Sequence, residues 1–153
     1  MNRFMEQAID MAASSVRAGG GPFAALVVKE GSVIATGVNQ VVGANDPTAH
    51  AEIVAIREAC RALHRFQLTG CEVYASCEPC PMCLGALYWA RPARIFFAAT
   101  RDDAAAAGFD DALIYREILA PPEGRSIPTI HLPHESAGRP FQEWIAKPDK
   151  ARY

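Results

Sequence analysis

Between Phe4 and Ala99 the apolar residues switch repeatedly between helical and strand spacing, and that alternation narrows the fold more than any single motif does. Phe4, Ala8, Ile9, Ala12 and Val16 recur at helical spacing, and Gly19 to Gly21 followed by Pro22 end that helix. The runs PFAALVV and VIATG flank a Glu30-Gly31 turn and read as a hairpin. After a polar loop around Asn39 to Pro47, AEIVAIREACRAL sets Ile53, Ile56, Ala59, Cys60 and Leu63 on one helical face. CEVYAS is strand-like, PMCLGALYWA is helical and broken by Arg91-Pro92, and RIFFAA is strand-like again. Further on, the pattern predicts a helix from Asp110 to Ile118, a bend at Pro121-Pro122, a short strand from Thr129 to Leu132 and a last helix from Pro140 to Ala146. Helix, hairpin, helix, strand, helix, strand, helix is an α/β order, and it implies a three-layer α/β/α sandwich around a mixed sheet of about five strands. With 153 residues at 50% hydrophobic content there is enough for one core and too little for two, so 1–153 is expected to form a single domain.

Charge and cysteine usage then remove several function classes. Fifteen Lys and Arg stand against 17 Asp and Glu, a formal net charge of -2, so no global field draws in a phosphate backbone and no nucleic-acid partner is expected. The N-terminal stretch lacks the basic start, continuous apolar run and cleavage site of a signal peptide, and no later run is long enough to span a bilayer. No membrane association and a cytoplasmic location are expected. Five cysteines, three of them between Cys77 and Cys83, look unlike a secreted disulfide framework and more like a metal or redox site in a reducing compartment.

The chemistry concentrates in Pro79-Cys80-Pro81-Met82-Cys83 and in His50-Ala51-Glu52. Proline suits the first position of a helix, and Cys80 and Cys83 then lie one turn apart on one face at its start. The positive end of the helix favours the thiolates that a zinc ion requires. Alone, the C-x-x-C reads equally as packed core cysteines or as a redox dithiol. His50 changes that weight, because two thiolates and one imidazole make a catalytic zinc site with one position left for water. Glu52 lies two residues on, a spacing that points to opposite faces of a regular helix, so the pair must straddle the helix start with His50 near the cap. The Glu52 carboxylate can then move a proton between water and a leaving amine. A closed structural site of Cys77, Cys80, Cys83 and His50 is the rival arrangement, one that gives Glu52 no task. Cys60, Cys71 and Cys77 read as packing residues.

An H-x-E paired with P-C-x-x-C is the combination found in zinc-dependent nucleobase deaminases. Over nearly its whole length the chain resembles the bacterial guanine deaminases of the cytidine deaminase-like superfamily. The stretches that carry the resemblance are GGPFAALVV, NDPTAHAEIVAIREAC, SCEPCPMCLGALYWARP, DDAAAAGFDDALIYREI and PFQEW. By that resemblance His50, Cys80 and Cys83 match the ligands of one Zn2+ per subunit, and Glu52 matches the catalytic glutamate. Asn39 matches a residue that hydrogen-bonds the purine, Phe23 one that stacks on it, and the backbone of Ala51 is expected to touch the base. Asp111 matches a second active-site carboxylate, while Trp89 and Tyr153 match aromatics that help close the pocket. The resemblance further implies a homodimer whose C-terminal segment is exchanged between subunits. The implied reaction is attack of water at C2 of guanine, yielding xanthine and ammonia. Cytosine, cytidine or adenosine in tRNA are the other substrates the superfamily offers. From the residues alone, Phe23 and Trp89 read as core packing, Asn39 as a turn residue, and Asp110 and Asp111 as helix-start acids.

Overall fold

The computed structural model describes residues 2–152 and falls into two units, Met1–Asp111 and Ala112–Tyr153. In the first, helix α1 (Arg3–Arg17) is capped by the Asn2 side chain, which accepts from the amides of Phe4 and Met5. A hairpin follows, β1 (Ala24–Lys29) and β2 (Ser32–Val38), closed by Glu30 and Gly31 at φ 50° and 73°. Two positive φ values in a two-residue loop make the turn that matches the twist of the strands, which Gly31 adopts without strain. A short helix α2 (Val41–Ala44) lies where a loop was expected, and leads to α3 (Ala51–Leu63). Strand β3 (Cys71–Cys77), helix α4 (Pro81–Ala90) and strand β4 (Arg94–Ala99) form one βαβ unit, followed by α5 (Arg101–Ala106).

Four strands make the sheet, in the order β2-β1-β3-β4. β1 pairs antiparallel with both β2 and β3, and β3 pairs parallel with β4, so the sheet is mixed as the alternation of elements implied. Its two faces follow the period of two along β1. Ala25 and Val27, with Val73 of β3, pack with Ala51, Ala55 and Ala59 of α3 and with Leu87 and Ala90 of α4. Leu26, Val28 and Tyr74 face the other way, with Phe4, Met5, Ala8 and Met11 of α1. The three layers are therefore α1, the sheet, and α3 with α4.

Helix α3 lies unusually close to β2. A Cβ at Gly37 would stand 2.2 Å from the Ala51 carbonyl oxygen and 2.6 Å from the Ala55 nitrogen, so only glycine fits there. The fully buried alanines 51, 55 and 59 are the matching stripe on the helix. That close approach fixes the start of α3 beside the strand ends, where the functional residues lie.

The second unit contains α6 (Ala112–Leu119), a single 3-10 turn (Pro122–Gly124) and α7 (Arg139–Ala146), neither helix having a buried residue. Besides α2, expectation and structure differ at three places. No fifth strand forms at Thr129 to Leu132: Pro128 and Pro133 flank that run and remove backbone donors, and no described residue pairs with it. The expected helix from Asp110 begins at Ala112. Helix α5 went unread because RDDAAA shows no apolar period; its start is set instead by a reciprocal capping box between Thr100 and Asp103.

Candidate active site

His50 is the N-cap of α3 and Cys80 the N-cap of α4, both with extended backbone (φ -65°, ψ 155° and φ -64°, ψ 169°). An N-cap side chain ordinarily turns back to satisfy the free amides of the first turn. Neither does so here. Their carbonyls do accept the first helical bonds, from Val54 at 3.0 Å and Leu84 at 2.8 Å, which leaves both side chains at liberty to meet each other. Pro81 occupies the first turn of α4, where its missing N–H costs nothing, and Cys83 follows one turn after Cys80.

The three donors converge. His50 Nδ1 lies 3.6 Å from Cys80 Sγ and 3.5 Å from Cys83 Sγ, and the three ligand atoms all fall within 4.8 Å of one another. Zinc bonds of about 2.1 Å to nitrogen and about 2.3 Å to sulfur, set at a tetrahedral angle, place those atoms about 3.6 Å apart. The observed spacings match, so the residues fit the ion, and the soft, tetrahedral donor set favours zinc over a hard cation. Two helix starts also aim their positive ends at this point, which stabilises thiolate. Cys80 is pulled down to about 4, chiefly by the hydrogen bond from Cys83 and also by His50, while Cys83 is pushed up. Hydrogen bonding to Cys80 raises His50.

Glu52, in the first turn of α3, is only 8% exposed, and its Oε2 accepts from Cys83 Sγ at 3.4 Å. Burial raises its pKa above the ordinary carboxylate value, so the group sits closer to the range in which it both takes and releases a proton. Cys77 ends β3 and points elsewhere: its thiol donates to the Thr100 carbonyl at 3.5 Å, and burial pushes it up to about 11. It stands outside the group formed by His50, Cys80 and Cys83. A closed four-ligand site therefore does not assemble from the residues that the sequence offered for it.

The other expected site residues lie at varying distances from this centre. Ala51 is fully buried at the first position of α3, where its N–H has no partner within the helix. Asn39 ends the hairpin, with its N–H donating to the Phe23 carbonyl and its Oδ1 accepting from the Val41 N–H at 3.2 Å. The turn role is real, and it orients the Nδ2 donor. Phe23 is partly buried and meets Phe109 edge-on, with centroids 5.0 Å apart. Asp111 is raised first by burial and then by the charge of Cys80. Trp89 is 63% exposed near the far end of α4, about 13 Å along the axis from Cys80 at 1.5 Å per residue. Tyr153 lies outside the described residues.

Several supporting residues were not singled out in the sequence. Phe109 belongs to the AGFDD stretch, but nothing in its spacing marked it as the partner of Phe23. Asp46 accepts from both the amide and the hydroxyl of Thr48 and pairs with Arg57 at 3.6 Å, fastening the loop before His50 onto α3. Glu78 accepts from the Arg101 N–H at 3.1 Å. Pairings of this kind connect residues distant in sequence or loop-bound, and carry no periodic signal.

The fold and this donor set are those of a zinc-binding deaminase. Residues 1–99 match the zinc-binding region of cytidine and deoxycytidylate deaminases, and the chain belongs to that family. Within it, the chain is 52% identical to the guanine deaminase of Bacillus subtilis over 98% of its own length and 97% of that protein's. The crystal structure of the Bacillus subtilis guanine deaminase superposes with a TM-score of 0.98, covering 100% of this chain and 99% of that one, again at 52% identity. The guanine deaminase of Nitrosomonas europaea superposes at 0.67, with 37% identity, over 71% of this chain and 63% of its own. The tRNA-specific adenosine deaminase of Aquifex aeolicus is 44% identical over 63% of this chain and 64% of its own length.

Proposed function

We propose that this protein hydrolyses guanine to xanthine and ammonia, with His50, Cys80 and Cys83 holding Zn2+ and Glu52 carrying the proton. The observation that carries the substrate assignment is the extent of likeness: 98% of the chain aligns with a guanine deaminase, against 63% with a tRNA enzyme. A net charge of -2 also suits a free base better than a polyanion. Zinc bound to the two sulfurs and the imidazole supplies Lewis acidity, which makes water nucleophilic near neutral pH.

The chain's own residues do the rest. Glu52 takes a proton from the attacking water and passes it to a ring nitrogen as the C2–O bond forms, then moves the proton of the added hydroxyl to the amine, which leaves as ammonia as the C2–N bond breaks. Asn39 offers Nδ2 to the purine because Val41 already occupies its Oδ1. Ala51 offers an N–H with no helical partner, Phe23 a ring face, and Asp111 a carboxylate whose raised pKa lets it hold or share a proton on the purine edge.

Residues 1–153 act together as one deaminase domain in this reading, as a homodimer that exchanges the C-terminal segment. Exposed apolar side chains in the second unit support it: Leu119 is 87% exposed and Leu132 85%. By the resemblance Trp89 and Tyr153, the latter outside the described residues, are assigned to closing the pocket. Five free cysteines favour a reducing, cytoplasmic setting, and no described helix is long and apolar enough to cross a membrane.

Ammonia release from guanine, cytosine, cytidine, adenine and adenosine, measured side by side on zinc-quantified protein, tests the assignment. Turnover of guanine alone is the expected result. Turnover of a pyrimidine would keep the metal chemistry and overturn the purine assignment. Light scattering on the full chain should return the mass of a dimer; a fully active monomer would end the exchange model.

A further inference from the structure

The arm between β4 and the second unit has an unusual construction. Helix α5 buries none of its residues, and a cavity of about 140 Å³ lies among Phe23, Ser76, Cys77, Asp103, Ala104 and Phe109. Small side chains on α5 and just after it, Ala104 and Ala107, leave that space open, so close packing does not set where the helix sits. Hydrogen bonds from the metal-binding loop do. The Glu78 N–H donates to the Ala99 carbonyl at 2.8 Å, Cys77 Sγ donates to the Thr100 carbonyl at 3.5 Å, and Glu78 Oε2 accepts from the Arg101 N–H at 3.1 Å. Asp103 completes the fastening, accepting from Thr100 N at 2.8 Å and from Thr100 Oγ1 at 2.7 Å. Beyond α5 the chain turns at Gly108, with φ 92°, and delivers Phe109 to Phe23, with Asp111 two residues on.

We propose that Glu78 is a positioning residue for purine binding: by accepting from the Arg101 N–H it holds the arm that carries Phe109 and Asp111 in register with the metal-binding loop. The proposal rests on the purine reading above. Glu78 is not among the residues that would hold the metal. Its effect is on the fraction of molecules whose arm is in place before substrate arrives, and a ligand's apparent affinity falls by that fraction. Once the base is bound, Phe109 and Asp111 are held by it, so the chemical step is little changed.

The test is steady-state kinetics with metal analysis on the full chain. Glu78→Ala should raise KM for guanine roughly tenfold or more while kcat stays within about threefold and zinc remains near one per chain. Glu78→Gln keeps an oxygen acceptor and should restore most of the KM. Asp103→Ala loosens the same arm from its own side, leaves the metal-binding loop intact, and should move KM in the same direction even if Glu78→Ala fails to fold. An unchanged KM in Glu78→Ala and Asp103→Ala overturns the proposal. Loss of zinc in step with activity also overturns it, because Glu78 would then serve the metal loop. Should the native chain turn over another base, the purine reading fails on that control, and the KM split is read on the base it accepts.

Discussion

His50 and Cys80 hang from helix starts that rest on buried alanines and strand residues, whereas the arm from Thr100 to Asp111 includes a helix that buries nothing and is tied down by hydrogen bonds. The difference matches what each region must do. A metal site tolerates little displacement, because ligand distances define the ion it holds. Elements that move to admit a ligand come from the least buried part of a fold, the part to which α5 belongs. Packing secures the first region and polar contacts the second.

Substitutions at the two regions should separate accordingly. The largest effect is expected at the metal corner: Glu52→Gln should keep stoichiometric zinc while lowering kcat by about 10² to 10⁴, read by ammonia release. Full turnover in that variant would remove Glu52 from the mechanism. Asp111→Asn belongs to the arm and should raise KM by roughly ten- to a hundredfold, the loss of one charged hydrogen bond, with zinc unchanged. If zinc leaves with Asp111, the two regions are not separable in the way their construction suggests.

Gly37→Ala tests the packing under the metal corner. Its Cβ would collide with the backbone of α3, so urea unfolding should show a loss of about 1–3 kcal/mol, and zinc retention should weaken as His50 shifts. The smallest effect is expected at Cys77, between the two regions. Cys77→Ala should keep zinc and kcat, with at most a small rise in KM from the lost bond to Thr100, and loss of the metal would revive the closed-site arrangement. Its pKa near 11 means the thiol is protonated at pH 8, so alkylation should be slow there and rise as the pH approaches 11. Because the folded value lies above the reference of 9.0, the thiol's contribution to stability is full below pH 9 and is lost as pH rises towards 11.

Much of the metal corner was legible in advance because each part leaves a local mark. Proline before a C-x-x-C announces a helix start, and an H-x-E pair makes sense only if His50 is at the cap, as the backbone angles show it to be. The tight α3–β2 contact was not legible: the helical face of Ile53, Ile56, Ala59, Cys60 and Leu63 includes neither Ala51 nor Ala55, whose backbone makes the closest approach to Gly37, and such small side chains carry no periodic signal. Helix α5 escaped for a similar reason, being defined by its cap and by Glu78 rather than by an apolar face. The strand expected at Thr129 to Leu132 shows the opposite error. Alternating apolar residues make a strand only where another strand supplies hydrogen bonds, and none of the described residues does so.

By itself the sequence determined the α/β class, the two helix starts, and the donor types that select zinc, because these depend on neighbours within a few residues. Tertiary structure decided which cysteines join His50 and where Cys77 points. Those outcomes depend on distances between segments thirty residues apart, such as His50 and Cys80 at 3.6 Å, and no local preference encodes such a distance until the sheet has brought the strand ends together.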